Sequence, residues 1–460
     1  MNLATREPSP LSAWRLLGYA APTVALQSMM VPLLMFLPPT YSEVAGLSLS
    51  VVGLMFAIGR GFEAFTDPLI GALSDRTRSR FGRRRIWMAA GVPIALFATY
   101  FLLNPGSGTG AVDLLLWLVV FYLGWTMVFI PHQTWGGELS GRYHERTRIA
   151  GFRETGSFVG YLLATLIPLV YLQGVLGIAA PKYEQIVHTV GWFFAVALPL
   201  AVLWCFAAVP ARAVGEGGHP PSWQGLFAIL VRNKPFARLA GAYFVDRLAM
   251  GTYFFVQPLL VGYALGMQQN ILWVALANTI AAVVLAPLWV PITRRIGKHR
   301  TYCVANLVTM LSYALLFLAA PGQLWLVLLA NVVMGLGNGG TMITPPAMAA
   351  DTVDHDELHS GSAQMGGHMA FLAFVFKAGM ACGPLAGALF LAIFGYQHSG
   401  QALDASSSLG IRLCASWLPI ALLLLPVWLM WRFPIDSQRH AEIRRELDAR
   451  QLGAKHSGAL

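Results

Sequence analysis

Three charged residues share one face of an apolar segment early in the chain. Arg60, Glu63 and Asp67 are spaced i, i+3 and i+7, so their side chains lie on the same side of a helix. Two carboxylates one turn apart can share a proton or a sodium ion, and the nearby arginine can balance their charge. Because charges inside a long apolar segment are costly and tend to be functional, this pattern predicts a cation-coupling site within a membrane.

Further charges fall inside other apolar segments. They are Asp246 and Arg247 in the seventh segment, Lys377 in the eleventh, and Arg153 near the start of the fifth. The alternative interpretation is that such residues form buried ion pairs that only fix helix packing. A lysine that faces the two carboxylates would compete with a cation for them, which would link cation binding to a rearrangement of the helices.

Glu63 and Asp67 are expected to be metal ligands only if sodium is the coupling ion. Thr66 and a carbonyl freed near Pro68 would then add oxygen ligands. We expect no other cofactor, and the choice between H+ and Na+ stays open. The four cysteines lie in apolar segments without C-x-x-C pairing, which indicates neither a disulfide framework nor zinc.

Composition places the chain in a membrane. Of its 460 residues 56% are hydrophobic and 11% charged, whereas a soluble domain carries about a quarter charged residues. A span needs roughly 20 apolar residues. Twelve such spans are predicted, at residues 14–38, 49–73, 86–104, 111–131, 149–172, 188–209, 236–260, 270–291, 301–320, 323–346, 367–394 and 409–432.

The basic residues indicate the orientation of these spans. The formal net charge is +10, and most lysines and arginines fall in loops on the side of the N-terminus, six of them between spans 2 and 3. The other side has Lys182 and Arg412. This positive-inside pattern predicts a multi-pass plasma membrane protein, an inner membrane protein if bacterial, with both termini in the cytoplasm. Because the charge is spread over short loops, a nucleic-acid partner is not expected.

The chain divides into two halves of six spans. We expect an N-terminal six-helix bundle at 1–209, a central cytoplasmic loop at 210–235, a C-terminal six-helix bundle at 236–433 and a tail at 434–460, which would be a solvated surface helix. The end of span 2, DPLIGALSDRTRSRFGRRR, faintly matches the end of span 8, APLWVPITRRIGKHR. The predicted fold is therefore an all-α membrane protein built from two pseudo-symmetric bundles, with a site between them.

Three motifs resemble a known family. FEAFTDPLIGALSDRTRSRFGRRR, ERTRIAGFRE before span 5 and ADTVDHDELHSG before span 11 are similar to the glycoside-pentoside-hexuronide:cation symporter family of the major facilitator superfamily. The resemblance covers essentially the whole chain. It implies the major facilitator fold and cation-coupled transport by alternating access.

The resemblance also implies roles for single residues. Glu63 and Asp67 stand at the two acidic positions of the family's cation site, and Thr66 stands where an asparagine is usual. Lys377 and Arg153 match the basic residues of spans 11 and 5. The loop motif that braces the cytoplasmic gate corresponds to Asp75, Arg76, Gly82 and Arg83.

The acidic loop before span 11 is an exception among the basic loops. Its Asp351 and Asp354 are expected to pair with arginines of the 2–3 or 4–5 loop when the cytoplasmic side is shut. Such a contact would belong to the gate.

The chain departs from the family at the solute site. The family's sugar carriers are expected to use an aspartate on span 1 and an aspartate and a tryptophan on span 4. Here the first span has no acidic residue, and span 4 has Phe129 and Gln133 at those positions. Amides and indoles can still hold a hydroxylated ring. The candidate solute contacts are Gln27, Trp125, His132, Gln133, Trp135, Arg60, Arg153, Asp246 and Arg247.

The sequence therefore predicts a secondary transporter, not an enzyme. It would carry a small organic solute such as a sugar or glycoside together with a proton or sodium ion, as a monomer surrounded by membrane lipids. One alternative is a transporter of a lysolipid or another amphipathic solute. An alternative of another class is a non-transporting membrane receptor or subunit.

Overall fold

The structure is a computed structural model that describes residues 11–140, 142–209, 230–360 and 365–457. Twelve long helices, labelled α1 to α12, run through the described residues, and a further helix, α13, follows them. The first six are Ala13–Val44, Leu49–Arg76, Arg83–Leu103, Ala111–Glu138, Tyr143–Pro168 and Tyr183–Ala208. The others are Lys234–Leu259, Gln268–Ile296, Lys298–Leu318, Leu324–Ser360, Met365–Ile393, Ala405–Trp431 and Ser437–Ser457.

The twelve helices correspond one to one with the twelve predicted spans. Among the described residues, eleven helices are long and apolar enough to cross a membrane. The twelfth, α7, has 26 residues but falls outside that group, and it carries Asp246 and Arg247 in its middle. Most of the central loop predicted at 210–235 lies outside the described residues.

Side chains cap several helix starts. Ser48 accepts a hydrogen bond from the backbone of Val51 at the start of α2, and Asn233 accepts one from Phe236 at the start of α7. Asp404 accepts one from Ser407 at the start of α12, and this backbone hydrogen bond lowers the pKa of Asp404 below its ordinary value. Each cap satisfies a backbone donor that has no partner within the helix.

Prolines change the winding where helices approach their ends. Pro32 begins a π-helical stretch to Phe36 within α1, and a second stretch, Leu169–Val175, follows Pro168 at the end of α5. A third, Leu260–Ala264, follows Pro258 at the end of α7. A proline lacks the backbone donor of a regular turn, so it favours such local changes of winding. Because α1 and α7 are counterparts six spans apart, the two halves share this feature.

Each half has its own tightly packed pairs of helices. In the first half, α1 packs on α5 and α6, and α4 packs on α2 and α3. In the second half, α11 packs on α7, and α10 packs on α8 and α9. The halves meet chiefly where α2 lies against α11 and where α5 lies against α8. The first of these contacts brings the predicted coupling residues together.

The two faces of the protein differ in how the halves meet. We call the face with the loop 77–82 and α13 the arginine-rich face, and the other the opposite face. On the opposite face, hydrogen bonds join the halves from Leu49 N to Gln397 O at 2.7 Å and from Ser399 N to Ser42 Oγ at 2.8 Å. Tyr183 donates to the carbonyl of Pro258 at 2.8 Å. The halves are therefore closed together on the opposite face.

The tail is a helix, as predicted, but it is not simply a solvated one. Ile443 and Leu447 of α13 are buried against the second half. His440 lies 2.9 Å from Asp354 of α10, and Arg450 donates to the carbonyl of Leu358. The apolar residues that alternate with charges in DSQRHAEIRRELDAR supply this docking face, so the prediction of a fully solvated helix is corrected.

Gly53 tests the close approach of α2 and α11. A Cβ at this position would lie 2.9 Å from both Leu385 Cα and Pro384 O, which are backbone atoms that cannot move aside. We expect Gly53→Ala to lower the free energy of unfolding by about 1–3 kcal/mol, measured by thermal unfolding in detergent. The matched control is Gly61→Ala on the same helix, where a Cβ would meet no atom within 4 Å. Equal stability of the two variants would contradict the close packing.

Candidate functional site

The predicted coupling residues meet in one cluster between α2 and α11. Lys377 Nζ lies 2.7 Å from Glu63 Oε1 and also donates to the carboxylate of Asp67. On the other side of Glu63, Arg60 Nη1 lies 2.5 Å from Oε2. The charged residues on α2 are thus joined by a lysine that lies more than 300 positions further along the chain.

The cluster is balanced in charge and withdrawn from solvent. It contains two cationic and two anionic side chains. The side chain of Glu63 is fully buried, and that of Lys377 keeps 22% of its surface exposed. In such surroundings an extra cation is costly unless a positive charge leaves. A proton or sodium ion that binds these carboxylates must therefore displace the lysine or the arginine from them.

A threonine on α4, which the sequence analysis did not single out, belongs to the cluster. Thr126 Oγ1 donates to Asp67 Oδ1 at 2.8 Å. Thr66 was predicted to contribute an oxygen, but its hydroxyl donates to the carbonyl of Glu63 on its own helix at 3.2 Å. Three different helices thus contribute to the cluster. Hydroxyl residues are common in spans, so the sequence alone offered no signal that marked Thr126.

Aromatic and sulfur-containing side chains surround the cluster. The guanidinium of Arg60 lies 4.5 Å from the ring centre of Tyr122 and also contacts Met30 Sδ. Lys377 Nζ lies 5.7 Å from the ring centre of Phe129. These cation–π contacts stabilise the two positive charges where water is scarce.

The charged pair on α7 forms a separate cluster. Arg247 Nη2 lies 2.9 Å from Asp246 Oδ1 and 2.8 Å from Thr341 Oγ1, and Tyr302 donates to the other oxygen of Asp246. Arg247 is fully buried. The structure does not bring Asp246 and Arg247 to the carboxylates of α2, and their partners favour a role in packing α7 against α9 and α10.

The other predicted solute contacts divide into two groups. His132 and Trp135 are buried: His132 stacks on Tyr19 of α1, and Trp135 lies under Arg85. Trp125 is also buried and stacks near Phe129. By contrast, Gln133 is exposed, and Gln27 on α1 and Arg153 on α5 are half-buried. The side chains of the second group thus keep accessible surface, whereas those of the first are almost entirely covered by protein.

The loop motif between α2 and α3 forms a network of ion pairs on the arginine-rich face. Arg84 donates to Asp75 and to Ser74, and both Arg83 and Arg84 pair with Glu138 at the end of α4, at 2.7 and 2.6 Å. The prediction named Asp75 and Arg83. It missed Arg84, which is the buried arginine, and Glu138, because a run of three arginines does not reveal which one turns inward.

Other gate residues are placed as follows. Arg76 is exposed, and Gly82 has a φ of +101°, which favours glycine at the start of α3. Asp351 pairs with Lys298 at 2.6 Å, and Asp354 pairs with His440 and Arg444. Asp351 and Asp354 thus pair within the second half and its tail, not with the 2–3 or 4–5 loops, because the halves meet on the opposite face in this conformation.

The helices and the buried cluster together define a multi-pass membrane transporter of the major facilitator fold. A family model described as MFS/sugar transport protein matches residues 18–437. The chain belongs to this family, whose members are transporters and not enzymes.

Two relatives and one solved structure illustrate the similarity. The isoprimeverose transporter of Lactiplantibacillus pentosus is 30% identical, and the match covers 83% of this chain and 80% of that protein. The sodium-dependent lysophosphatidylcholine symporter 1 of Gallus gallus is 22% identical, over 95% and 89%. A crystal structure of the nucleoside transporter NupG has a TM-score of 0.65 at 13% identity, covering 92% of this chain and 100% of that one. The similarity to the NupG structure shows the fold alone.

Removal of Lys377 tests the electrostatic balance of the cluster. Lys377→Met leaves Asp67 without a cationic partner, so we expect the free energy of unfolding to fall by about 2–3 kcal/mol, less than for a fully buried pair because the lysine is partly exposed. Adding Asp67→Asn should restore more than half of this loss.

The control for this prediction is Lys298→Met. Lys298 also pairs with an aspartate, but its side chain is 37% exposed on the arginine-rich face. A change of about 0–1 kcal/mol in thermal unfolding is expected there. If Lys377→Met lowered the free energy of unfolding no more than Lys298→Met, the ion pairs of the cluster would contribute little to stability.

Proposed function

We propose that this chain is a cation-coupled symporter in which Glu63 and Asp67 bind the coupling ion. The observation that carries the proposal is the position of Lys377, whose ammonium group contacts both carboxylates. An ammonium held between carboxylates occupies the place of a monovalent cation. Arrival of H+ or Na+ would therefore release Lys377, and departure of the ion would let it return.

This exchange would couple the ion to movement of the halves. Glu63 and Asp67 belong to α2 in the first half, and Lys377 belongs to α11 in the second. When an ion replaces the lysine, the attraction between these two helices weakens, and the halves are freer to rock against each other. Alternating access of this kind places the binding site near the midplane, between the halves.

We further propose an orientation for the molecule. The positive-inside pattern supports an arginine-rich face in the cytoplasm, with both termini there and the protein in the plasma membrane, which is the inner membrane in a bacterium. With the opposite face closed, the conformation described above is then open toward the cytoplasm. The unit of function would be the monomer, with the two bundles bounded near 1–209 and 236–433.

The proposed solute is a small organic molecule of the sugar or glycoside type. The family description and the name of the isoprimeverose transporter support this class. The exposed amide of Gln133 lies one turn from Phe129, which contacts Lys377, so a solute bound there would lie beside the coupling site. Amides both donate to and accept from hydroxyl groups, as recognition of a sugar requires.

A lysolipid is the second candidate solute. Phe129 is partly exposed beside Lys377, so it gives the wall next to the cluster an aromatic surface that suits an apolar chain. One relative is named as a symporter of lysophosphatidylcholine. Both solutes are therefore included in the test below.

Uptake into proteoliposomes tests the function. Labelled isoprimeverose and lysophosphatidylcholine are offered separately, with an inward sodium gradient, an inward proton gradient or neither. We expect one gradient to drive accumulation of one solute, and Asp67→Asn to abolish accumulation while exchange of that solute across the membrane is partly retained. Asp113→Asn, which alters an exposed carboxylate at the start of α4, should behave as wild type. Uptake that ignores both gradients would refute cation coupling.

Substitution of each of two threonines tests which hydroxyl group supports binding of the ion. Thr126→Val removes the hydrogen bond to Asp67, and we expect the ion concentration for half-maximal uptake to change by about 5- to 30-fold, as for loss of one hydrogen bond to a charged group. Thr66→Val removes a bond to a backbone carbonyl and should change it by less than about twofold. A larger effect at Thr66 would favour the oxygen set first predicted from the sequence.

A further inference from the structure

Glu154 on α5 is a carboxylate that the coupling scheme does not use. It lies inside a membrane span, yet its side chain keeps 56% of its surface exposed. Its partner is the neighbouring Arg153, which donates from Nη2 at 2.5 Å and from Nε at 3.2 Å. An exposed charge within a span is costly against lipid, so it indicates a surface that faces water.

The helical positions around Glu154 indicate which surface this is. Gly156 and Gly160 pack against α1, where a Cβ would lie 3.0 Å from Ala20 O and 2.5 Å from Val24 O. Glu154 lies about 200° around the helix from Gly156, and thus points away from α1. Tyr161 lies seven residues on and on the same face, and it interacts electrostatically with Glu154, with Arg60 of the coupling cluster and with Tyr243 in the other half. α5 is also a helix of the first half that packs against the second half, through α8.

The face of α5 that carries Glu154 therefore looks into the space between the two halves. Glu154 is nearer the arginine-rich end of α5 than Tyr161. A solute that enters from that face would meet Glu154 before it reached the coupling cluster. The position suits recognition of the solute, whereas the lysine and both carboxylates of the coupling site are already engaged with one another.

We infer that Glu154, with Arg153, forms a recognition site for a solute that carries adjacent hydroxyl groups. A carboxylate can accept hydrogen bonds from two neighbouring hydroxyls, and the guanidinium beside it can donate to ring or hydroxyl oxygens. The two side chains thus present acceptors and donors side by side. Adjacent groups of a sugar ring present the complementary donors and acceptors. This inference rests on the proposed transport function.

The test uses labelled isoprimeverose in the same proteoliposomes. Glu154→Gln keeps the size of the side chain but loses the charge-assisted bonds, so the KM for isoprimeverose should rise roughly 10-fold or more, with little change in maximal rate. The ion concentration for half-maximal uptake should stay within about twofold of the wild-type value. Glu154→Asp, which keeps the charge, should recover part of the loss.

Asp448→Asn serves as the matched control, because Asp448 is an exposed carboxylate on α13 far from the space between the halves. If the wild-type protein takes up isoprimeverose and Glu154→Gln has the same KM, the inference is overturned and the transport function stays intact. The inference would also be overturned if the wild-type protein took up lysophosphatidylcholine but not isoprimeverose. If the wild type takes up neither solute, the proposed function fails together with the inference.

A second measurement does not depend on transport rate. Glu154→Cys is combined with Cys382→Ala, because Cys382 is only partly buried, and is labelled with a water-soluble maleimide in purified protein, where Cys205, Cys303 and Cys414 are buried. Because this variant lacks the carboxylate, isoprimeverose is added at a concentration well above the raised KM, and we expect rapid labelling that then slows at least severalfold. A cysteine at position 154 that reacts equally fast with and without the sugar would contradict a recognition site there.

Discussion

The architecture depends on one electrostatic constraint, a lysine from one half that neutralises two carboxylates from the other. Between membrane-spanning helices such charges cannot be left unpaired, because the surroundings screen them poorly. Lys377 therefore holds α11 against α2 for as long as Glu63 and Asp67 lack another cation. A single interaction thus links the halves and, in the proposed scheme, is also the place where the coupling ion binds.

The close packing of α11 on α7 extends this constraint to a second helix. Gly379 and Gly383 let α11 approach α7 so closely that an added Cβ would lie 2.6 Å from Phe244 O at the first position and would overlap the backbone of Gly251 at the second. Lys377 lies within two turns of both contacts. A displacement of α11 is therefore shared with α7, and the buried pair of Asp246 and Arg247 joins the same two helices to α9 and α10.

Much of this arrangement could be predicted from the sequence, and the limits have physical causes. Span length and the spacing of Arg60, Glu63 and Asp67 are local properties, so the twelve helices and the charged face of α2 could be predicted. The partner Lys377 followed from a family resemblance. Thr126 and Arg84 could not be singled out, because their roles arise only when distant helices pack. For the same reason, Asp246 and Arg247 could not be separated from the coupling site by their positions in the chain.

The interactions on the two faces differ in kind, and this difference bears on how transport could proceed. On the opposite face the halves are joined by neutral hydrogen bonds, such as Leu49 to Gln397 and Tyr183 to Pro258, each worth about 0.5–1.5 kcal/mol net. One further hydrogen bond on this face runs from Tyr263 to the carboxyl group of Glu43. On the arginine-rich face the ion pair of Arg84 lies within the first half, and that of Lys298 lies within the second. A few such neutral bonds are comparable in energy with the coupling that one bound ligand can supply, about 1–3 kcal/mol. In the proposed scheme, a bound ion that releases Lys377 would supply a coupling energy of this general size, and stronger ion pairs across the opposite face would oppose the change of conformation.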